Sequence, residues 1–141
     1  MIGMARYLAD TSVLARRKTR PEVREVLEPL FVSGRAATCG VIDLEFLYSA
    51  TRAVDYARVA SVLRALPRVP MSEEVLDRAL EVQAQLAQRS QHRGVRLPDL
   101  LIAACAESAG LTVLHYDADY ERIAEVTGQP VRWVVPRGSI D

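Results

Sequence analysis

Lysine is almost missing from this 141-residue chain: Lys18 stands alone, and the other basic residues are all arginine. A mechanism built on a catalytic lysine therefore has one candidate, and the Gly-Lys-Ser/Thr ending of a phosphate loop does not occur. Cysteine is scarce as well. Cys39 and Cys105 are too few and too separated for a disulfide framework or a cysteine zinc site, and Cys105, within an apolar run, is expected to be a buried, inert thiol. Aromatic residues make up 6% of the chain with one tryptophan, Trp133, which argues against recognising single strands by base stacking. Net charge is zero, with 18 basic and 18 acidic residues, so bulk charge draws in no polyanion and any such site has to be a local patch. The longest strongly apolar run, Leu100 to Ala106, has seven residues, far short of the ~20 that span a bilayer. The opening residues lack the apolar stretch of a signal peptide, so the expectation is a cytoplasmic protein with no membrane attachment.

What is present suits one folded unit. Half the residues are hydrophobic, and a chain near this length buries roughly 68–70% of its unfolded surface. With no repeat, low-complexity tract or linker, residues 1–141 read as a single domain. Five short strands are expected: Arg6 to Asp10, Ala36 to Cys39, Arg68 to Met71, Thr112 to His115 and Val131 to Val135. Helices are expected over Thr11 to Arg17, Pro21 to Val32, Gly40 to Thr51, Val54 to Leu66, from Ser72 through Leu86, from Pro98 to Gly110, and over Asp117 to Val126. Ser72 ahead of Glu73 and Glu74 is a capped start, and Val75, Ala79, Val82 and Leu86 recur at helical spacing. The helix after Pro98 is apolar nearly all round and should be buried. Strands separated by helices imply an α/β fold with parallel pairing, in which ligands lie beyond the carboxyl ends of the strands.

Acids stand at those ends. Asp10 closes the first strand, Asp117 and Asp119 follow Val113-Leu114-His115, and Asp99 occupies the first turn of the buried helix. Glu45 joins them by helical phase, lying beside a stripe of Val41, Leu44 and Tyr48, whereas Asp43 is rotated roughly 200° away. Each alone has a plainer role: Asp10 and Asp117 suit helix caps, and Asp99 suits the helix dipole. Together they repel, at about 4 kcal/mol for one pair 4 Å apart at an effective dielectric of 20. A divalent cation shared among them offsets that repulsion, and hard oxygen donors select Mg²⁺, with Mn²⁺ as a substitute. Such a site polarises a phosphate and lowers the pKa of a bound water, the chemistry of phosphodiester hydrolysis.

Leu8-Ala-Asp-Thr-Ser12, Asp43-Leu-Glu45, Leu97-Pro-Asp-Leu-Leu-Ile-Ala-Ala104 and His115-Tyr-Asp-Ala-Asp-Tyr-Glu-Arg-Ile-Ala124 together resemble the four motifs of PIN-domain nucleases. The length is similar to that of VapC-type toxins of bacterial toxin–antitoxin pairs. The resemblance implies a three-layer α/β/α PIN-like domain around a five-stranded parallel sheet. It further implies a Mg²⁺-dependent endoribonuclease that is often a homodimer and is neutralised by a small cognate antitoxin. Asp10, Glu45, Asp99 and Asp117 would form the catalytic set, with Asp10, Asp99, Asp117 and Asp119 as metal ligands. Which of Asp117 and Asp119 binds metal stays open. Ser12 would hold Asp10 by hydrogen bonding, and Tyr120, standing where the motif usually has Phe, is expected to leave the chemistry unaffected.

Arg16, Arg17 and Arg20, in a basic run with Lys18 and Arg24, are the candidates for RNA phosphate contacts. A second set, Arg89, Arg93 and Arg96, reads as a solvated face. His115, with no acid placed to orient it, reads as a packing residue. Two other readings remain at this point: a housekeeping PIN ribonuclease without an antitoxin, and a non-catalytic receiver-like module that binds Mg²⁺. The latter mechanism wants a lysine at a late strand end, and the chain has none beyond Lys18.

Overall fold

In a computed structural model that describes residues 3–140, five parallel strands form one sheet in the order β3-β2-β1-β4-β5. These are β1 (Tyr7–Ala9), β2 (Ala36–Cys39), β3 (Arg68–Val69), β4 (Thr112–His115) and β5 (Val131–Trp133). Seven α-helices connect and cover them: α1 (Thr11–Leu14), α2 (Pro21–Val32), α3 (Gly40–Tyr48), α4 (Ala53–Arg64), α5 (Glu73–Gln88), α6 (Leu97–Ala109) and α7 (Asp119–Thr127). The result is the expected three-layer α/β/α arrangement. No helix among the described residues is long and apolar enough to cross a membrane.

β1 is the central strand, and there the strand order reverses. The chain builds outward from β1 through β2 to β3, crosses back, and adds β4 to the other side of β1 with Tyr7 opposite Thr112 and Ala9 opposite Leu114. Crevices beyond the carboxyl ends of strands at such a reversal are where ligands bind in open α/β sheets. Asp10 and Asp117, just past β1 and β4, flank it.

Burial follows the apolar residues. Leu8, Ala9, Val113 and Leu114 are shut off from solvent, and so are Ile102 to Ala106 of α6. Gly110 stops α6 in the left-handed region, at φ +68°, so that the Leu111 N–H returns to the Ala106 carbonyl at 2.9 Å. Ser72 caps α5 through the Val75 N–H, and Val75, Ala79, Val82 and Leu86 are all buried, as their spacing predicts. Cys105 is a buried free thiol.

Three sequence expectations need correction. The helix expected from Thr11 to Arg17 ends at Leu14, and the one expected from Asp117 starts at Asp119, which leaves Asp117 in the connection. The third concerns α3. Its buried residues are Ile42 and Asp43, whereas Leu44 and Tyr48, assigned to the inner stripe, are 71% and 91% exposed. Asp43 turns inward because it has partners there: Thr38 donates to it at 2.6 Å, and Arg68 of the edge strand pairs with its other oxygen. Glu45 reaches the sheet's end because it follows the buried Ile42 by three residues, not because it flanks Leu44 and Tyr48.

Candidate active site

The five acids named from the sequence meet at one end of the sheet. Carboxylate oxygens of Asp10, Glu45 and Asp99 lie within 4.8 Å of one another, and those of Asp99, Asp117 and Asp119 do the same. Asp99 belongs to both groups. It is 1% exposed, and its Oδ2 has no hydrogen-bond partner.

Asp10 is held from two directions. Its Oδ2 accepts from the Ser12 N–H at 3.1 Å and the Ser12 hydroxyl at 2.6 Å, so it also caps α1. The Ser12 hydroxyl in turn accepts from the Tyr116 N–H, fastening the loop after β4 to the loop after β1. The other oxygen of Asp10 accepts from the Tyr120 hydroxyl at 2.6 Å. Burial pushes the Asp10 pKa up and outweighs these hydrogen bonds, which favour the ionised form.

Glu45 is gripped at both oxygens, by the Thr11 hydroxyl at 3.0 Å and by the Arg96 guanidinium at 2.5 Å. Asp117 accepts from the Asp119 N–H at 2.9 Å, and Asp119 accepts from the Arg96 N–H at 3.1 Å. Burial, the neighbouring Asp119 carboxyl, and the charges of Asp10 and Asp117 push Asp99 up to about 9. A carboxyl so raised, with an unpartnered oxygen amid four further acids, fits a hard divalent cation.

Tyr120 is the residue whose importance the sequence reading missed. Its ring is wholly buried and its hydroxyl also lies 3.3 Å from Asp99 Oδ1, so the tyrosine in place of phenylalanine sits among the acids rather than apart from them. One signal was available: Tyr120 follows Asp117 by three residues and precedes the buried Ile123 by three. Thr11 was likewise overlooked. Arg96, read as part of a solvated face, stands at the site.

The basic run divides. Arg16 donates to the Ser12 carbonyl at 2.8 Å and lies over the Tyr116 ring, beside the acids. Arg17 points elsewhere, paired with Glu28 and stacked over Phe31. The Arg20 N–H closes onto the Arg16 carbonyl ahead of α2. His115 is fully buried between the Tyr120 and Trp133 rings, and burial drives its pKa down to about 4, so it is a neutral packing residue.

Comparison with known proteins agrees with this geometry. The PIN domain family model matches residues 7–126. Ribonuclease VapC51 of Mycobacterium tuberculosis is 48% identical over 136 residues, covering 96% of this chain and 98% of that protein. In fold, the chain resembles the DNA-bound VapBC structure from Salmonella typhimurium, with a TM-score of 0.74 at 21% identity, covering 94% of this chain and all of that one. It also resembles a toxin-antitoxin complex from Klebsiella pneumoniae, with a TM-score of 0.71 at 19% identity, covering 92% and 98% of the two chains.

Proposed function

Since this chain belongs to the PIN-domain family, among its VapC-type ribonucleases, we propose that it is a Mg²⁺-dependent endoribonuclease and the toxin of a toxin–antitoxin pair. The observation that carries the reading is Asp99, buried, unpartnered at Oδ2 and common to two carboxylate groups. Asp10, Glu45 and Asp99 would hold one divalent ion, and Asp117 with Asp119 would complete the acidic set around Asp99. A bound ion supplies Lewis acidity and a water that ionises near neutral pH. The chain's own part is positioning. Ser12 and Tyr120 fix both oxygens of Asp10, and Thr11 fixes Glu45. Asp10 and Asp99 are themselves shut off from solvent, so bulk water is kept from the inner part of the cluster, where charge interactions are strongest. Arg16, beside Ser12, would take an RNA phosphate, and Arg17 would do so only by exchanging its half-exposed contact with Glu28.

The direct test is cleavage of mixed cellular RNA by metal-stripped protein with and without Mg²⁺ or Mn²⁺, against an Asp10→Asn, Asp99→Asn double variant purified identically. Cutting that needs the metal and is lost in the variant supports the reading. Equal cutting by both proteins, or none by either at saturating metal, overturns it.

A pH dependence follows from Asp99. Its folded-state pKa lies above its unfolded value, so the metal-stripped folded protein keeps a proton that the unfolded chain has released between about 4 and about 9. The stability of the stripped protein should therefore fall as pH rises through that window. Cation binding has to expel the proton, so Mn²⁺ affinity should rise with pH, by up to about tenfold per unit. Calorimetry at pH 7 in buffers of different ionisation enthalpy is expected to show close to one proton released per ion. No release, or affinity flat from pH 6 to 8, would count against Asp99 as a ligand.

For the antitoxin, the supporting feature is an apolar cleft of about 550 Å³ walled by Leu14, Phe31, Phe46, Val59, Val62 and Leu63, with Arg17, Lys18, Asp55 and Arg58 also lining it. It suits the apolar face of a helix. Val62, 52% exposed on α4, is the accessible wall. Val62→Asp is expected to weaken capture of the co-expressed antitoxin more than tenfold while leaving metal-dependent cleavage intact, and unchanged capture would move the interface elsewhere. Light scattering on the isolated protein reads the homodimer.

A further inference from the structure

Arg96 has no part in the chemistry above, yet it touches two of the five acids. Its backbone N–H donates to Asp119, so the main chain there is anchored whatever side chain it carries. Its guanidinium leaves the backbone, crosses to α3 and donates to Glu45 Oε2. The two ends of this pair are unequally exposed: 59% of the Arg96 side chain faces solvent, against 18% of Glu45. The far side of the guanidinium therefore opens on the mouth of the site while the near side covers an inward-facing carboxylate. Burial on its own would lower the arginine's pKa, but the hydrogen bond to Glu45 and the charges of Asp99, Glu45 and Asp117 raise it instead.

Both oxygens of Glu45 already have a donor. Thr11 donates to Oε1 and Arg96 to Oε2, each leaving a second lone pair, so the charge of the donor decides whether a cation can share the carboxylate. The threonine is a neutral donor, able to share its acceptor with a cation. The guanidinium is a second positive charge, and two cations on one carboxylate oxygen repel. Arg96 is thus the group that has to yield. Once free, a planar fork of donors on an anchored backbone, at the rim of a site whose acids repel an RNA chain, is chemically suited to a phosphate.

We propose that Arg96 competes with the divalent cation for Glu45 and, when displaced, binds an RNA phosphate at the mouth of the site. The exchange links loading of the ion to capture of the substrate: the arginine is withheld on Glu45 until the acids are neutralised, then offered to the anion. The phosphate half rests on the ribonuclease reading, whereas the competition half does not.

The test compares wild type with Arg96→Ala, Arg96→Lys, Glu45→Gln and the Glu45→Gln, Arg96→Ala double variant. Mn²⁺ affinity is measured by calorimetry without RNA, and KM and kcat on a short RNA at saturating Mn²⁺. Arg96→Ala should bind Mn²⁺ about three- to fivefold more tightly, as expected for releasing a partly exposed ion pair, and the gain should vanish in the Glu45→Gln background. The same variant should raise KM about tenfold with kcat within about twofold, and Arg96→Lys should recover most of the loss. Unchanged or weaker Mn²⁺ binding by Arg96→Ala overturns the competition, and so does an equal gain without Glu45, which would be general charge repulsion. An unchanged KM overturns the phosphate role. If wild type binds Mn²⁺ but cuts no RNA, the ribonuclease reading falls, and calorimetry still decides whether Arg96 competes.

Discussion

Asp99→Asn is expected to lower metal-dependent RNA cleavage by about a thousandfold or more, while the metal-stripped variant melts no lower than wild type. The two halves have one cause. Asp99 is shut from solvent among like charges, and burial with its neighbours raises it to about 9, so without a cation it is a protonated acid. Asparagine keeps the shape and brings an N–H₂ that can donate to the neighbouring carboxylates, as the acid's own proton can. Near neutral pH a neutral group replaces a neutral group, so the folded state loses no charge interaction. Function requires the opposite protonation state. An ion that stabilises transition-state charge by several kcal/mol needs the ionised carboxylate, and about 4 kcal/mol corresponds to a thousandfold in rate. Thermal unfolding supplies the companion measurement. Mn²⁺ at a hundred times its Kd adds about 2.7 kcal/mol to wild type, roughly 10 °C for a domain of this size, and should leave the variant's midpoint almost unmoved. Cleavage within tenfold of wild type would remove Asp99 from the ligand set.

Tyr120→Phe carries the second large expectation, about 1.5–3 kcal/mol less stability and a 10- to 100-fold loss in metal affinity or cleavage. Only the hydroxyl goes, so the ring still fills the core beside His115. What is lost is the donor 2.6 Å from Asp10, in a position water does not reach. The Tyr120 pKa lies well above its usual value, chiefly through burial, so this donor keeps its proton throughout the working range. Because that hydrogen bond favours ionised Asp10, removing it should raise Asp10 further and move the acidic limb of the pH–rate profile to higher pH. A uniform loss of activity with an unmoved profile would mean that the hydroxyl serves only stability. Urea unfolding separates the two.

Most of the framework was legible before any coordinate. Five strands were expected and five form among the described residues, and α6 was recognised as buried because nothing polar interrupts it from Leu100 to Ala106. Acids at strand ends needed only the rule that crevices open there. The misreadings share a different character. Ile42 and Asp43 form the inner face of α3 because Thr38 and Arg68 welcome a carboxylate, and an apolar stripe carries no trace of that. Tyr120, Arg96 and Thr11 meet their acids across 110, 51 and 34 residues of chain, and no local spacing encodes such meetings. Local pattern reveals which groups lie at one end of the sheet. The side chains that restrain them are set by tertiary packing.

The central position of β1 governs timing as well as place. Asp10 is made long before β4, yet the strand before it gains its second neighbour only when β4 exists, with Tyr7 paired to Thr112. Tyr120, which secures the second oxygen of Asp10, comes later still. During synthesis the chain therefore has no assembled centre until Tyr120 has been made. A nascent copy that stops short of Tyr120 has the first acid of the centre without the residues that complete and restrain it, so activity waits on the later half of the fold.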